Sequence, residues 1–328
     1  MNTIQEDSEI FSTDSASNLF MCVFYCALGL ISILCNCLNM VVWLSSRDLR
    51  RKYIYAIALD ACEAVNGVSY ILVGIGRGLA LVGDYLTEPI TVRQCFLEKF
   101  WPHSLILGNQ MPAICIILIS YERLLAVLRP SRYTRIFSGK LKIVLLLLVP
   151  LLATASLLVG GLSTMGPAGD VIISSQHCPI ISSTAPWYAS FHYIFIVSAY
   201  IVAFVSVFVV WRISKRYSVG RKSRDNRLSA ILITAGSSII LIGSKSAVML
   251  STLWKFYRFN NFIVTLTYSM PGFLSIAGTV INFVFRPDYR KQFFSMVHIR
   301  DPFMQASISN AQTMSVKARM SVAAHAKF

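Results

Sequence analysis

The sequence contains few charged residues, and it lacks the residue patterns on which soluble enzymes and nucleic-acid-binding proteins depend. Only 14% of its 328 residues are charged, 55% are hydrophobic and the mean hydropathy is +0.61, whereas about 25% of the residues of a soluble domain are charged. It contains no Ser-His, paired-aspartate or zinc-ligand constellation of the kind that hydrolysis requires. No basic patch with interleaved aromatic residues stands in a soluble segment, as nucleic-acid binding would require. We therefore expect a membrane protein that is not an enzyme, carries no cofactor or metal, and binds no nucleic acid.

The apolar residues are gathered in seven runs that are long enough to cross a bilayer. A hydrocarbon core about 30 Å thick requires about 20 apolar residues in a helix. The predicted spans are residues 19–44, 54–82, 100–127, 141–162, 188–211, 228–254 and 259–285. The sequence therefore predicts an all-α membrane protein, a seven-helix transmembrane bundle that occupies residues 19–285.

Lysine and arginine are distributed unevenly between the two sides that these spans define. Twenty-four of the 30 basic residues, Arg123 among them, lie at or after the ends of the first, third, fifth and seventh spans. Short cytoplasmic loops carry such an excess. We therefore expect a plasma-membrane protein whose N-terminus is extracellular. The net charge of +15 is then explained by attraction to the anionic lipids of the inner leaflet.

Three further segments flank the spans. Residues 1–18 contain four acidic residues but no lysine or arginine, so they resemble neither a secretory signal nor a transit peptide and are expected to form an extracellular N-terminus. Residues 286–299 combine basic and aromatic side chains, as an amphipathic helix along the inner leaflet does. Residues 300–328 are polar and rich in small residues, which predicts a disordered cytoplasmic tail. Its serines are candidate sites for a kinase or arrestin-type regulator.

Two of the eight cysteines lie outside the predicted spans. Cys95 comes just before the third span, and Cys178 lies between the fourth and the fifth. Both fall on the outer side, where disulfides persist, and we predict that they are bonded to each other. The other six lie in apolar runs, where cysteine behaves as a small hydrophobe.

An acid and an arginine stand at the end of the third apolar run. Glu122 and Arg123 are followed by Leu124, Pro130 and Tyr133. Ionisable side chains near bilayer depth cost a few kcal/mol, so such a pair predicts a functional site. Snorkelling of the arginine to the interface is the structural alternative, but it explains neither the acid nor the proline. We therefore predict a switch at these five residues.

At this stretch the chain resembles the rhodopsin-like G-protein-coupled receptors. Residues 122–133 look like the family's (Asp/Glu)-Arg-Tyr motif followed by a loop proline and tyrosine, with Leu124 in place of the motif tyrosine. The resemblance implies that Glu122 holds Arg123 at rest. It also implies that release of the arginine opens the cytoplasmic face for a heterotrimeric G protein.

Four polar residues inside the spans extend the resemblance. Asn36 looks like the family's first-helix asparagine and Asp60 like its second-helix aspartate. Glu63 lies three residues after Asp60 and shares its helix face, so either carboxylate fits that position. Asn282 replaces the tyrosine of the missing Asn-Pro-x-x-Tyr motif. The resemblance implies that the four form an interior polar network.

The last two spans depart from the family in a way that is similar to the nematode serpentine chemoreceptors, of an Srsx-like or Srx-like class. The sixth span contains neither Cys-Trp-x-Pro nor any proline, and the seventh leads into residues 282–285, Asn-Phe-Val-Phe, and 288–290, Asp-Tyr-Arg. This resemblance implies an environmental or pheromone-like small molecule as ligand, sensed at the membrane of a sensory neuron.

Ligand sites are apolar cavities with a few placed polar groups. The candidates in the outer half of the bundle are Glu98, His103, Leu105, Lys245 and Tyr268. Leu105 stands eighteen residues before the arginine of the switch, where amine receptors carry an aspartate, and therefore argues against an amine ligand. An intramembrane lysine is a functional hypothesis, so Lys245 is a candidate to hold a ligand carboxylate. Pairing with an acid or with backbone carbonyls, or snorkelling to the surface, explains Lys245 equally well.

A seven-span transporter or channel is the alternative function. Asp60, Glu63 and Lys245 would then line its pathway, although the sequence contains no internal repeat of the kind that transporters show. An opsin is excluded because residues 259–285 contain no lysine for retinal. Insect-type odorant channels place the N-terminus inside the cell, opposite to the charge distribution found here.

Overall fold

The computed structural model describes residues 15–137, 139–217, 222–257, 259 and 261–298. Its helices are α1 (Ser15–Leu44), α2 (Arg47–Lys52), α3 (Ile54–Val82), α4 (Val92–Glu98), α5 (Trp101–Leu128), α6 (Pro130–Ile136), α7 (Gly139–Ser163), α8 (Ile180–Ser183), α9 (Pro186–Tyr217), α10 (Lys222–Leu253), α11 (Asn261–Phe285) and α12 (Pro287–Met296). A 3₁₀ turn at Pro167–Asp170 and two short strands, β1 (Ile90–Thr91) and β2 (Ile172–Ile173), complete these elements. The predicted tail, and most of the predicted N-terminal segment, lie outside the described residues.

Seven helices of the described chain are long and apolar enough to cross a membrane: α1, α3, α5, α7, α9, α10 and α11. Each overlaps one predicted span, so the seven-helix prediction is confirmed. Helices suit the hydrocarbon core because they satisfy their backbone hydrogen bonds internally. Their outward faces are apolar, and on α7 the side chains of Leu147, Leu151 and Leu158 are all more than 60% exposed. The chain is thus a multi-pass membrane protein.

Glycines let α1 and α3 approach each other closely. A Cβ atom added to Gly29 would lie 2.5 Å from the carbonyl oxygen of Gly67, and one added to Gly74 would lie 2.5 Å from the Sγ of Cys26. Small residues at such contacts are typical of helix packing in membranes, because the backbones themselves come into contact. This pair of helices therefore forms a tightly packed frame for the interior polar residues.

The two ends of the bundle differ in character. The disulfide end is the end at which Cys95 and Cys178 lie, and the largest buried cluster lies in that half, with Tyr25, Tyr70 and Trp101 among its members. The basic end carries the short helices α2, α6 and α12. At the basic end α12 lies within the segment 286–299 and packs on α1 through Tyr289 and Trp43, with 4.9 Å between their ring centroids.

Candidate functional site

The disulfide end is closed by the loop between α7 and α9. Cys95 of α4 and Cys178 of the loop form a disulfide, with 5.7 Å between their Cα atoms, which confirms the predicted pairing. Beside it β1 and β2 pair antiparallel, with Ile90 opposite Ile173. The loop is thereby joined to the segment that leads into α5.

Arg77 of α3 anchors the same loop inside the bundle. Its Nε donates to the carbonyl oxygen of His177 at 2.9 Å, and the Nε1 of Trp101 donates to the same oxygen at 3.1 Å. His177 is 1% exposed. Burial, aided by the charge of Arg77, lowers the pKa of the His177 imidazole to about 3, so this ring is neutral at pH 7. Nothing in the sequence pattern distinguished Arg77 as the anchor.

A polar centre around Lys245 lies in the disulfide half of the bundle. Lys245 of α10 is 3% exposed, and its Nζ donates to the Oδ1 of Asn109 at 2.5 Å. The Nζ also lies 5.4 Å from the centroid of the Tyr268 ring. The Asn109 amide donates in turn to the carbonyl oxygen of Leu105 at 2.6 Å, and the hydroxyls of Tyr193 and Tyr268 lie 3.1 Å apart.

Three of the five predicted pocket residues, Leu105, Lys245 and Tyr268, are therefore brought together, and two are not. Glu98 ends the short helix α4 and is exposed. His103 packs edge-to-face on Phe96 at 4.4 Å between ring centroids. Glu98 belongs to the separate short helix α4, and His103, in the first turn of α5, packs against that helix. No sequence pattern showed that a separate short helix precedes the third span.

A small cavity lies next to this centre, on its basic-end side. Asn109, Tyr200 and Ile242 bound it on one side and Glu63 and Asn66 on another. It has about the size of one water molecule. The cavity thus separates the Lys245 centre from the carboxylates of α3.

Asn39 organises a polar network below the cavity. It donates to the Oδ1 of Asp60 at 3.3 Å and to the hydroxyl of Thr279 at 3.0 Å, and its Oδ1 accepts from the Tyr289 hydroxyl at 2.9 Å. Burial raises the pKa of Tyr289, so this hydroxyl stays protonated and remains a donor. One asparagine of α1 therefore connects α3, α11 and α12.

The four predicted network residues take different positions relative to Asn39. Asp60 belongs to the network directly. Glu63 accepts from the hydroxyl of Ser275 at 2.8 Å, on the same helix as Thr279. Asn36 is fully buried but donates to the Ser32 carbonyl oxygen of its own helix at 2.9 Å. Asn282 is half-buried, and besides the internal backbone bonds of α11 its backbone oxygen accepts from the Arg286 nitrogen at 3.1 Å.

At the basic end Glu122 accepts a hydrogen bond from helix α6 and forms no ion pair with the adjacent Arg123 in the described chain. The hydroxyl of Tyr133 on α6 donates to the Oε1 of Glu122 at 3.1 Å. Burial first, and the charge of Glu122 second, raise the pKa of Tyr133. No carboxylate of the described chain lies within 4 Å of a charged nitrogen of Arg123. Pro130 occupies the first turn of α6, where its missing N–H costs no hydrogen bond.

Helix α12 is fixed at this end by charge and by stacking. Lys52 and Asp288 form an ion pair at 2.7 Å, and Tyr53 donates to the same carboxylate at 3.0 Å. The guanidinium of Arg286 lies 5.5 Å from the ring centroid of Trp43. The turn from α11 into α12 is therefore held against α1 and α2.

Comparison with known proteins does not identify a family for the chain. No protein-family model matches the chain, and no curated protein matches it either. The described residues contain no group of three or more His, Cys, Asp or Glu side chains that could hold a metal ion. The fold, seven candidate spans with a disulfide at one end, fits a membrane receptor or a transporter in general.

Proposed function

We propose that the chain is a G-protein-coupled receptor of the rhodopsin-like type, which binds a small molecule in the disulfide half of the bundle and signals at the basic end. The arrangement along α5 carries the proposal. At one end the Cys95–Cys178 bond ties the entry of this helix to the loop over the bundle. At the other end Glu122 and Arg123 stand beside α6.

The contacts of the switch residues support a role for Tyr133 that the family resemblance did not supply. Glu122 accepts from Tyr133 at 3.1 Å, while Arg123 has no carboxylate within 4 Å in the described chain. In the proposed mechanism Tyr133 of α6 holds Glu122 by a hydrogen bond. Arg123 is then available to contact a heterotrimeric G protein that docks at the basic end.

The remaining parts of the proposal rest on charge distribution and resemblance. The basic end would face the cytoplasm, with the N-terminus outside the plasma membrane. A chemosensory role, as in the nematode serpentine receptors, would place the chain at a sensory neuron, with a kinase or arrestin-type regulator acting on the tail.

A transporter or channel is the second candidate, because buried ionisable groups favour it. Asp60 and Lys245 are 8% and 3% exposed, and Glu63 bounds the interior cavity. Such groups mark proton and ion pathways in other membrane proteins. That cavity has room for about one water molecule, which is too little for an open conduit.

Substitution of Arg123 tests the receptor proposal. Wild type, Arg123→Ala and Arg51→Ala would be expressed in cells, matched for surface level, and screened with small metabolites for G-protein activation. We expect a response in wild type and in Arg51→Ala, which removes an exposed arginine at the same end, and loss of the response in Arg123→Ala. A response that survives Arg123→Ala would refute the proposed role of the arginine.

A further inference from the structure

Helix α8, a single turn of the α7–α9 loop, is buried in the disulfide half of the bundle. Ile180 is 0% exposed and Ile181 is 8% exposed. Both belong to the same buried cluster as Leu105 of α5, Tyr193 of α9 and Tyr268 of α11. The hydroxyl of Tyr268 faces the backbone of Ile180. Two side chains of the loop therefore fill interior space in the half of the bundle where the proposed function requires a ligand.

The loop is fixed on both sides of α8, whereas α8 itself is weakly held. On one side Cys178 is bonded to Cys95, and on the other the backbone nitrogen of Ala185 donates to the hydroxyl of Ser163 at 3.2 Å. A helix of one turn is not stable by itself. The hydroxyl of Ser183 is buried and has no hydrogen-bond partner in the described chain, which opposes the burial of α8. Helix α8 can therefore leave the interior while the disulfide stays in place.

The side chains that α8 covers are apolar or have hydroxyl groups that already form hydrogen bonds. The hydroxyl of Tyr70 donates to the backbone oxygen of Tyr268 at 2.8 Å, and the hydroxyls of Tyr193 and Tyr268 lie 3.1 Å apart. Apolar members of the same cluster are Val73, Leu105, Met249 and Val264. A site vacated by α8 would therefore be lined mainly by apolar surface.

The buried cations of this half bond to oxygens of the chain itself. Arg77 donates to the backbone oxygen of His177, and Lys245 donates to the amide oxygen of Asn109. A charged ligand would lose its hydration on entering the interior and would have to compete with these bonds for a counter-charge. A neutral ligand avoids that cost.

We propose that Ile180 and Ile181 occupy the ligand site, and that the ligand displaces α8 and is a neutral, mainly apolar molecule with one hydrogen-bonding group. Its size would be about that of the two isoleucine side chains that it replaces. The hydroxyl of Tyr268 would then meet the hydrogen-bonding group in place of the Ile180 backbone. The small cavity beside Asn109 need not hold this ligand, because the departure of α8 supplies the space. This inference rests on the proposed receptor function and names its ligand class.

Hydrogen exchange of the purified full chain in lipid nanodiscs tests the displacement without any signalling partner. With α8 in place the backbone N–H groups of Ser182 and Ser183 both donate to the Pro179 oxygen at 3.0 Å, which protects them from exchange. The neutral probes are octan-1-ol and octan-2-one, and octanoate and octylamine are their charged counterparts. We expect at least one neutral probe to raise the Tm and to accelerate exchange at these two amides. Both charged probes should do neither.

Two matched variants locate the effect. Ile181 and Ile119 are both 8% exposed, but Ile119 belongs to the buried cluster of the basic half. Replacement of either by alanine should lower the Tm. Ile181→Ala also weakens the burial of α8, so the neutral probe should act at about one tenth of the wild-type concentration or less. Ile119→Ala should respond at the wild-type concentration. The exchange measurement on wild type keeps the test decisive if Ile181→Ala does not fold.

Four results would overturn the assignment. One is slower or unchanged exchange at α8 when a neutral probe raises the Tm, because the probe would then bind without displacing the helix. The others are a preference for a charged probe, equal probe sensitivity in Ile181→Ala and Ile119→Ala, and no effect of either neutral probe up to its solubility. A probe that displaces α8 but evokes no response through Arg123 would support the ligand site and refute the receptor function. The two proposals therefore fail separately.

Discussion

Replacement of Asn39 by alanine should destabilise the bundle more than the same replacement of Asn36. The two asparagines are one helical turn apart on α1, and their exposures are 1% and 0%. Each change removes the same atoms from a buried position, so the cavity left behind is comparable. The variants differ in the hydrogen bonds lost. Asn39 bonds to three other helices, and Asn36 bonds to Ser32 of its own helix.

The magnitude follows from the number of interhelical bonds. In membrane proteins such a bond contributes about 0.6 kcal/mol on average and up to about 1.7 kcal/mol. Asn39 makes three, which corresponds to about 2 kcal/mol. The Asp60 carboxylate and the Tyr289 hydroxyl also remain buried after the change and lose this partner, which adds to the destabilisation.

Thermal unfolding of the two purified variants in the same detergent measures this difference. We expect Asn39→Ala to have the lower Tm and Asn36→Ala to lie between it and wild type. Surface expression should follow the same order. If Asn36→Ala proved as destabilised as Asn39→Ala, or more so, the network described here would not be what holds α1 to α3, α11 and α12.

Two further predictions concern packing and pH. Gly29→Ala should destabilise the fold by about 1–3 kcal/mol because the added Cβ meets the Gly67 backbone. Gly243→Ala, where nothing lies within 4 Å of the added atom, should be neutral or stabilising by up to about 1 kcal/mol; equal Tm changes in the two variants would contradict the close approach of α1 and α3. The pKa of His177 is lowered to about 3 in the folded chain from about 6.5 when unfolded. Its contribution to the free energy of unfolding is therefore complete above pH 6.5 and is lost as the pH falls towards 3. At pH 5 the loss of stability is about 2 kcal/mol. Unfolding curves at pH 5 and 7.5 should show this loss in wild type but not in His177→Gln. The same pH dependence in both proteins would refute the assignment to His177.

The long helices were predictable from the sequence because hydrocarbon thickness sets a minimum length for each apolar run. The predicted second span, 54–82, has the same bounds as α3, even though Asp60, Glu63 and Arg77 interrupt it. Those charges are accommodated by partners on other helices and in the α7–α9 loop, which no single run of sequence reveals. The short elements α4, α6 and α8 fall below the length at which periodicity distinguishes a helix from a loop.

The interior contacts were predictable in residue type but not in pairing. A polar network around the α3 carboxylates was expected, yet its central residue is Asn39 and not Asn36, because rotation of α1 about its axis decides which of the two faces α3. The partner of Lys245 is Asn109, a residue to which the sequence assigned no role. Contacts of this kind join residues 136 positions apart, so they emerge only when the helices are assembled.

The central claim is most directly tested by reconstituting the purified chain in liposomes with a stabilising ligand and an added heterotrimeric G protein. The account predicts that the ligand accelerates nucleotide exchange on the G protein, that Arg123→Ala abolishes this acceleration, and that the chain adds no ligand or ion flux to that of empty liposomes. Added flux that is equal in wild type and Arg123→Ala, without any nucleotide exchange, would contradict the account and establish the transporter or channel function.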